Sequence, residues 1–321
     1  MAGKLTDDRV MSASRLPALM GYSKYSTPND ELQYSIRSIG GLERPYIFND
    51  AMLFGNLLEP VILTESCKRL GITKFDTDIR KAYVHASIPL QCSLDGLAEG
   101  EGQAIKHDPE NGIYVLTDSG SIVLKGTGVL EAKATKVFPE DGASLDLARG
   151  PIQLQGQLLV TGHEWGAVCV LYSGMTLRIF LFEVHHETQK EIIKQVLQFQ
   201  SKLDKFIATG EQDWYAPSSS VDLNRMFPVA QKEEIVLDKE AIELAQTISD
   251  KKLVIKACES AIDDAEMKIK QMLGDAEAGR VGEILITWKM RHYKASPEKL
   301  VKAREAYSIR QSNLSIKGLT V

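Results

Sequence analysis

Apolar and polar positions divide this chain into two regions of different character. In the first, helical and strand patterns alternate. Leu53 to Leu70 reads as a helix, with Leu57, Leu58, Val61 and Ile62 at helical spacing. Tyr83 to Leu97 reads as two strands broken at Pro89. Ile113–Thr117 and Ile122–Lys125 flank Asp118-Ser119-Gly120 and predict a hairpin. Val129–Ala134 is a short buried strand and Ile152–Thr161 a helix. Trp165–Tyr172 and Leu177–Val184 are strands around Ser173-Gly174, and Glu187–Thr209 is an amphipathic helix. Such a mixture predicts an α/β fold with helices packed on a central sheet.

The stretch from Ala216 to Ala230, with Pro217, three serines and Pro228, predicts a linker. It divides the chain into a core, 1–215, a linker, 216–230, and a C-terminal extension, 231–321. Lys239 to Leu273 contains no Pro or Gly, and Ile242, Ala245, Ile248, Leu253, Ile255, Ile262, Ile269 and Leu273 recur at roughly helical spacing. A long helix is expected there, followed by a strand over 282–293, a helix from Pro297 and an end strand near 314–316. Residues Ala278 to Val321 carry nine basic and three acidic side chains. That is either a solvated basic face or a surface for DNA or an acidic partner.

Composition narrows the class. Of 321 residues, 44% are apolar and 25% charged, which fits a globular chain and excludes a disordered or collagen-like one. The net charge of −5 confines any nucleic-acid surface to a local patch. No apolar stretch approaches the ~20 residues of a membrane helix, and the first residues lack the apolar segment of a signal peptide. Cys67, Cys92, Cys169 and Cys258 are scattered, with no CxxC pair. Reduced thiols in a cytoplasmic protein without zinc or an iron–sulfur cluster are expected.

The candidate chemistry lies in Leu94-Asp95-Gly96 and Gly128-Val129-Leu130-Glu131-Ala132-Lys133. Side chains alternate along a strand, so Glu131 and Lys133 share a face. A charged pair facing inward from an apolar strand is costly unless it is paired or bound to something. Two carboxylates on adjacent strands offer hard oxygens to Mg²⁺ or Mn²⁺. A lysine beside them can orient a water and stabilise phosphate charge, the equipment of metal-assisted phosphodiester hydrolysis. The bland alternative is a Glu131–Lys133 salt bridge.

Three further segments join these in order: Phe54-Gly55-Asn56-Leu57-Leu58-Glu59-Pro60, the helix carrying Gln153, Gln155 and Gln157 before Gly162-His163-Glu164-Trp165, and Ser12-Ala13-Ser14-Arg15. Together, over residues 10–210, they resemble the YqaJ-like viral recombinase family, which includes lambda exonuclease, of the PD-(D/E)XK nuclease superfamily. The resemblance implies a restriction-endonuclease-like core with a central mixed sheet flanked by helices, and a mainly helical C-terminal extension. It implies metal ligation by Asp95, Glu131, the Ala132 carbonyl and Glu59, a catalytic Lys133, and a glutamine matching Gln155. Gln153 and Gln157 remain alternatives for that glutamine, because helix register is not visible in sequence. Ser14 and Ser93 match serines that touch a terminal 5′ phosphate. The family's phosphate-binding arginine has no secure match; Arg9 and Arg15 are both near.

The activity implied is a Mg²⁺-dependent exonuclease, with Mn²⁺ substituting. It would degrade the 5′-ended strand of linear duplex DNA and leave 3′ tails for a phage single-strand annealing protein, and a homo-oligomer such as a trimer fits. Two other readings stay open: an endonuclease of the same superfamily in repair or restriction, and a non-catalytic DNA-binding or assembly protein. Closed circular substrate separates the first, and metal dependence the second. Tyr22, Tyr25 and Tyr34 are candidates for stacking on bases. Trp165, Trp214 and Trp288 read as packing residues. His185 and His186 are adjacent and point apart if they lie on a strand, which disfavours a metal site.

Overall fold

The computed structural model describes residues 5–42, 49–117, 119–139, 145, 150–218, 220–227, 229 and 234–290. It has two units, Met1–Met226 and Phe227–Val321. The first contains β1 (Met11–Ser12), a 3-10 turn (Ala13–Arg15), α1 (Leu16–Leu19), α2 (Pro28–Ile39), α3 (Asp50–Arg69), β2 (Phe75–Asp76), β3 (Tyr83–Val84) and β4 (Leu90–Cys92). There follow β5 (Gly96–Lys106), β6 (Ile113–Val115), β7 (Ser121–Thr135), α4 (Pro151–Thr161), β8 (Trp165–Tyr172), β9 (Thr176–Glu183), α5 (His186–Thr209) and α6 (Ser220–Met226).

Six strands form a mixed sheet in the order β2-β5-β7-β8-β9-β6. β7 runs parallel to β8 and β6 parallel to β9; the other pairs are antiparallel. Helices cover both faces. On one face Val129, Val168, Val170 and Phe180 pack with Ile152, Leu154 and Leu158 of α4 and Ile192, Val196 and Phe199 of α5. On the other, Leu130, Ala132, Ala167, Cys169 and Ile179 pack with Ile62, Leu63 and Cys67 of α3. Burial on both faces explains why β8 reads as a continuous apolar run rather than an alternating one. The mixed α/β class and the sheet flanked by helices agree with the sequence expectation.

Gly128 permits one close approach on which the centre of the sheet depends. A Cβ there would lie 2.2–2.4 Å from the Trp165 ring, and Trp165 Nε1 donates to the carbonyls of Lys125 and Gly126. Trp165 is thus a packing residue that holds β7 against the start of β8.

The expected hairpin over 113–125 does not form. Ile113, Tyr114 and Val115 are all buried and pair in parallel with Ile179, Phe180 and Leu181 at the far sheet edge. Residues 121–135 form one long strand whose antiparallel partner is β5, from Gly96↔Leu130 to Lys106↔Ser121. In β5, Glu99, Gly100, Glu101, Gly102 and Gln103 have weak strand propensity, and ladder pairing with β7 overrides it. α2 starts at a reciprocal capping box formed by Thr27 and Asp30.

The expected linker is helical at its centre. Asp222 of α6 is buried and accepts hydrogen bonds from Asn29 Nδ2 at 3.2 Å, Thr27 Oγ1 at 3.1 Å and Ser218 N at 3.1 Å. These contacts attach α6 to the start of α2.

The second unit contains α7 (Glu240–Leu273), β10 (Ala278–Val281) and β11 (Ile284–Thr287). The long helix is present. The strand expected over 282–293 is instead half of an antiparallel hairpin turning near Gly282. The expected elements from Pro297 onward lie outside the described residues. Among the described residues no helix is long and apolar enough to cross a membrane. Cys67, Cys92 and Cys169 are buried and Cys258 is exposed. Burial pushes the first three thiols up to about 12.

Candidate active site

The site grows out of one strand. β7 is the third strand of the sheet, and Val129, Glu131 and Lys133 project to the face covered by α4. Glu131 is 1% exposed, whereas the Lys133 side chain is 32% exposed. Lys133 Nζ ion-pairs with Glu131 Oε1 and donates to Gln153 Oε1 at 3.2 Å. Gln157 Nε2 donates to the other oxygen, Glu131 Oε2, at 2.6 Å and to the Ser93 carbonyl at 3.2 Å. Gln153 and Gln157 are four residues apart and so share one helix face.

Asp95 immediately precedes β5. The β5–β7 ladder ends at Gly96↔Leu130. One residue further on, Asp95 Oδ2 replaces the missing backbone acceptor and takes the Ala132 N–H at 2.9 Å. The N–H and C=O of one strand residue point to the same side. The Ala132 carbonyl therefore faces the edge that β5 has vacated, the side on which Asp95 sits. Glu59 approaches from α3, half-buried.

Three carboxylates, Glu59, Asp95 and Glu131, thus surround one ammonium. Burial first, and then the charge of Glu131, raise Asp95 well above the usual carboxylate range; Lys133 and the Ala132 N–H only partly offset this. Burial and Glu131 also raise Glu59, with Lys133 opposing. For Lys133, burial favours the neutral amine, but Glu131 and Asp95 outweigh it and the pKa rises. Lys133 is a cation at neutral pH and is not poised as a general base.

This is an environment with more carboxylates than one lysine neutralises. Its oxygens are of the hard type that Mg²⁺ selects, and Gln157 Oε1 is buried beside Glu131 without a hydrogen-bond partner. Among the described residues no three His, Cys, Asp or Glu side chains form a ready metal cage. Mg²⁺ seldom uses such a cage; one or two carboxylates, waters and substrate phosphate suffice. The residues fit that mode, with Asp95, Glu131 and the Ala132 carbonyl as the nearest donors.

Two residues expected at the site lie elsewhere. Gln155 is on the opposite side of α4. It donates to the Glu183 carbonyl at 2.8 Å and accepts from His185 N at 2.9 Å, so it clamps the end of β9 to the start of α5. Two residues along a helix turn a side chain by about 200°, which is why the register decided between the three glutamines. Arg15 is buried. Its guanidinium donates to Glu31 Oε2 at 2.6 Å, the Glu31 carbonyl at 2.7 Å, Ser35 Oγ at 2.9 Å and the Asp8 carbonyl at 3.0 Å. Its donors tie α2 to the N-terminal segment and are not available to a phosphate. Arg9 is held by Asp7 at 2.7 Å.

The serines fare differently. β1 pairs in parallel with β4, Ser12 opposite Gln91. Ser14 and Ser93 each follow by two residues, so they leave the same end of this small sheet, and both are exposed. Ser14 Oγ lies 3.2 Å from Ser12 Oγ, and Ser93 is joined to the site through its carbonyl and Gln157. Of the tyrosines, Tyr22 and Tyr25 are exposed. His185 caps α5 by accepting from Thr188 N, and His186 is the first residue of that helix.

Gln157→Ala is expected to lower catalytic turnover by ~10-fold or more while Gln155→Ala leaves it within ~2-fold and lowers the melting temperature instead, as loss of two buried hydrogen bonds would. Parallel melting curves and nuclease rates check this; equal turnover in both variants would remove Gln157 from the site.

No known family profile and no curated protein matches the sequence. Solved structures do. An alkaline exonuclease (LHK-Exo) from Laribacter hongkongensis is 18% identical, with 63% of this chain and 91% of that chain covered at a TM-score of 0.44. The same enzyme in complex with dAMP gives 20% identity, 62% and 90% coverage, and a TM-score of 0.43. A phage-related exonuclease from Haemophilus somnus 129PT is 13% identical, with 63% and 96% covered and a TM-score of 0.41.

Proposed function

We propose that this chain is a divalent-metal-dependent exonuclease acting on the ends of linear duplex DNA. One observation carries the reading: Asp95, Glu131 and Lys133 meet where β5 ends beside β7, with Gln153 and Gln157 locking the last two in place. That arrangement supplies carboxylate oxygens and a fixed cation at one point of a partly open surface. Mg²⁺, or Mn²⁺ in its place, would be held by Asp95, Glu131 and the Ala132 carbonyl, with Glu59 acting directly or through water, and supplies Lewis acidity toward a phosphodiester.

The remaining work belongs to the chain. Lys133, kept cationic, orients the attacking water and neutralises charge that grows on the phosphate. Gln157 fixes the rotamer of Glu131, and Gln153 that of Lys133. Ser14 and Ser93, exposed at one end of the β1–β4 pair, are candidates to receive a terminal phosphate. Attack on the 5′-ended strand, 3′ tails passed to a phage annealing protein, a trimeric assembly and a bacterial cytoplasmic setting follow from the family resemblance and form part of the same proposal. The C-terminal extension would serve DNA engagement or partner coupling.

The test is one set of gels. Linear duplex labelled at either end, with or without a 5′ phosphate, and a covalently closed circle are incubated with Mg²⁺, Ca²⁺ or EDTA. Degradation of the linear 5′-phosphorylated strand in Mg²⁺ alone is expected, with DNA binding but no turnover in Ca²⁺, whose longer and looser coordination positions phosphate and water poorly. Cleavage of the circle would favour an endonuclease. Digestion that persists in EDTA would overturn the metal mechanism.

A further inference from the structure

Arg178, half-buried on β9, is treated by this fold unlike the buried Arg15. The contrast with Arg15 is direct, since Arg15 spends its donors on carboxylate, carbonyl and hydroxyl acceptors. Among the described residues the Arg178 side chain makes no hydrogen bond and no ion pair, and its Nη1 is buried without a partner. Its contacts are aromatic. The guanidinium carbon lies 4.4 Å from the centroid of Phe138, 5.4 Å from Tyr114 and 5.5 Å from Tyr172. Aromatic faces recover part of the cost of desolvating a cation, but they accept no N–H in a fork geometry. The rings therefore hold the guanidinium in place without satisfying its donors.

Its position matters as much. Lys133 pairs with Val170 across β7 and β8, and Val170 pairs with Arg178 across β8 and β9. Directly paired residues on neighbouring strands project to the same face. Arg178 therefore shares the Lys133 face two strands away, a lateral distance of ~10 Å. Phosphates on one DNA strand wind round the duplex and lie farther apart than the ~3.4 Å axial rise, so that lateral distance spans about one to two nucleotides. The rim beside it is open and apolar: Phe138 is 42% exposed and Met175, in the β8–β9 turn, is 90% exposed. An aromatic ring next to a fixed guanidinium is the usual equipment for following a nucleic-acid strand, the ring under a base and the cation at the backbone.

We propose that Arg178, held by Phe138, Tyr172 and Tyr114, is a phosphate-binding subsite for the substrate strand about one to two nucleotides from the scissile linkage. This rests on the nuclease reading above. Arginine suits the role because its fork reaches two phosphate oxygens at once and its plane stacks on rings; lysine does neither. The subsite would bind the strand and leave the chemistry to Lys133.

The test pairs a protein change with a DNA change. Binding of a short labelled duplex is measured in Ca²⁺ over a range of salt, for wild type, Arg178→Ala and Arg178→Lys, and for duplexes carrying one uncharged methylphosphonate linkage at successive positions. The expected Arg178→Ala protein melts as a folded protein, binds ~10-fold more weakly, and loses about 0.7–0.9 from the slope of log K against log salt, the share of one phosphate. Its KM in Mg²⁺ rises while kcat stays within ~2-fold, as befits lost binding rather than lost transition-state stabilisation. Arg178→Lys is expected to keep the slope but not the affinity. On wild type, an uncharged linkage about one to two nucleotides from the cleaved bond should weaken binding several-fold, and that penalty should vanish in Arg178→Ala.

Unchanged affinity and slope in folded Arg178→Ala would overturn the proposal. If that variant does not fold, the methylphosphonate series on wild type decides alone: no penalty at any of those linkages overturns it. Wild-type cleavage of unmodified linear DNA is recorded in parallel. Cleavage with no Arg178 effect sinks the subsite only, whereas absence of both binding and cleavage sinks the nuclease reading and the subsite with it.

Discussion

Glu131→Gln and Lys133→Met each lower hydrolysis of linear duplex DNA by at least ~10²-fold with the fold retained, the loss typical when a preorganised charge facing the transition state is removed. The two substitutions are chosen to fit the local packing. Glu131 is nearly inaccessible and accepts from both Lys133 and Gln157. Truncation to alanine would take the acceptor from buried Gln157 and from Lys133, and a stability loss would confuse the rate. Glutamine keeps the volume and an acceptor while removing the charge. Methionine keeps the stem of Lys133 and removes the ammonium. Near-wild-type turnover by well-folded Glu131→Gln in Mg²⁺ would show that the cluster is only the salt bridge that sequence also allowed. Circular dichroism confirms the fold.

The second large effect is on the stability of the metal-free protein. Carboxyl groups with ordinary values of 3.8 and 4.5, those of Asp95 and Glu59, are both raised in the folded state. Between the unfolded value and the raised folded value, the folded protein binds more protons than the unfolded one. Stability from these groups is therefore highest in acid and falls as pH rises from about 4 through the raised values. Exposed carboxyls such as Asp78 and Asp108 are shifted the other way, so the difference between wild type and Asp95→Asn isolates the buried contribution. Asparagine still accepts from Ala132 N, so the backbone contact survives. Without metal, Asp95→Asn is expected to melt several degrees above wild type at pH 8 and near it at pH 4.5. A domain of this size moves by about 2–4 °C for each kcal/mol. Mg²⁺ should raise the wild-type melting temperature at pH 8 and leave Asp95→Asn unmoved. A wild-type protein indifferent to both Mg²⁺ and pH would count against a metal at these carboxylates.

Local pattern accounted for much of the molecule. α3, α4, α5 and α7 were legible through apolar residues at helical spacing, and β8 and β9 as short apolar runs around the Ser173-Gly174 turn. The pairing of Glu131 with Lys133 was legible because strand alternation fixes it. What escaped depended on partners distant in sequence. β5 has weak strand propensity and exists through its ladder with β7. β6 sits beside β9, more than 60 residues away in the chain, so its neighbours in sequence suggested a false hairpin. The choice among Gln153, Gln155 and Gln157 is a matter of helix rotation relative to β7. Arg15 sits among residues that made it a plausible phosphate ligand, and only the position of α2, with Glu31 and Ser35, shows its donors spent. Arg178 gave no signal at all, because its relation to Lys133 runs through two steps of strand register.

The distribution of cysteines has a use in the laboratory. Cys67, Cys92 and Cys169 are buried and held as thiols, whereas Cys258 stands exposed on α7. Maleimides react with accessible thiolate. A dye added to the native protein would therefore attach at one address, in the second unit, without any engineered mutation. A fluorophore there is far in sequence from every residue of the candidate site, so its anisotropy or energy transfer to labelled DNA would follow the second unit as a strand is engaged, with the chemistry of the first left unmodified.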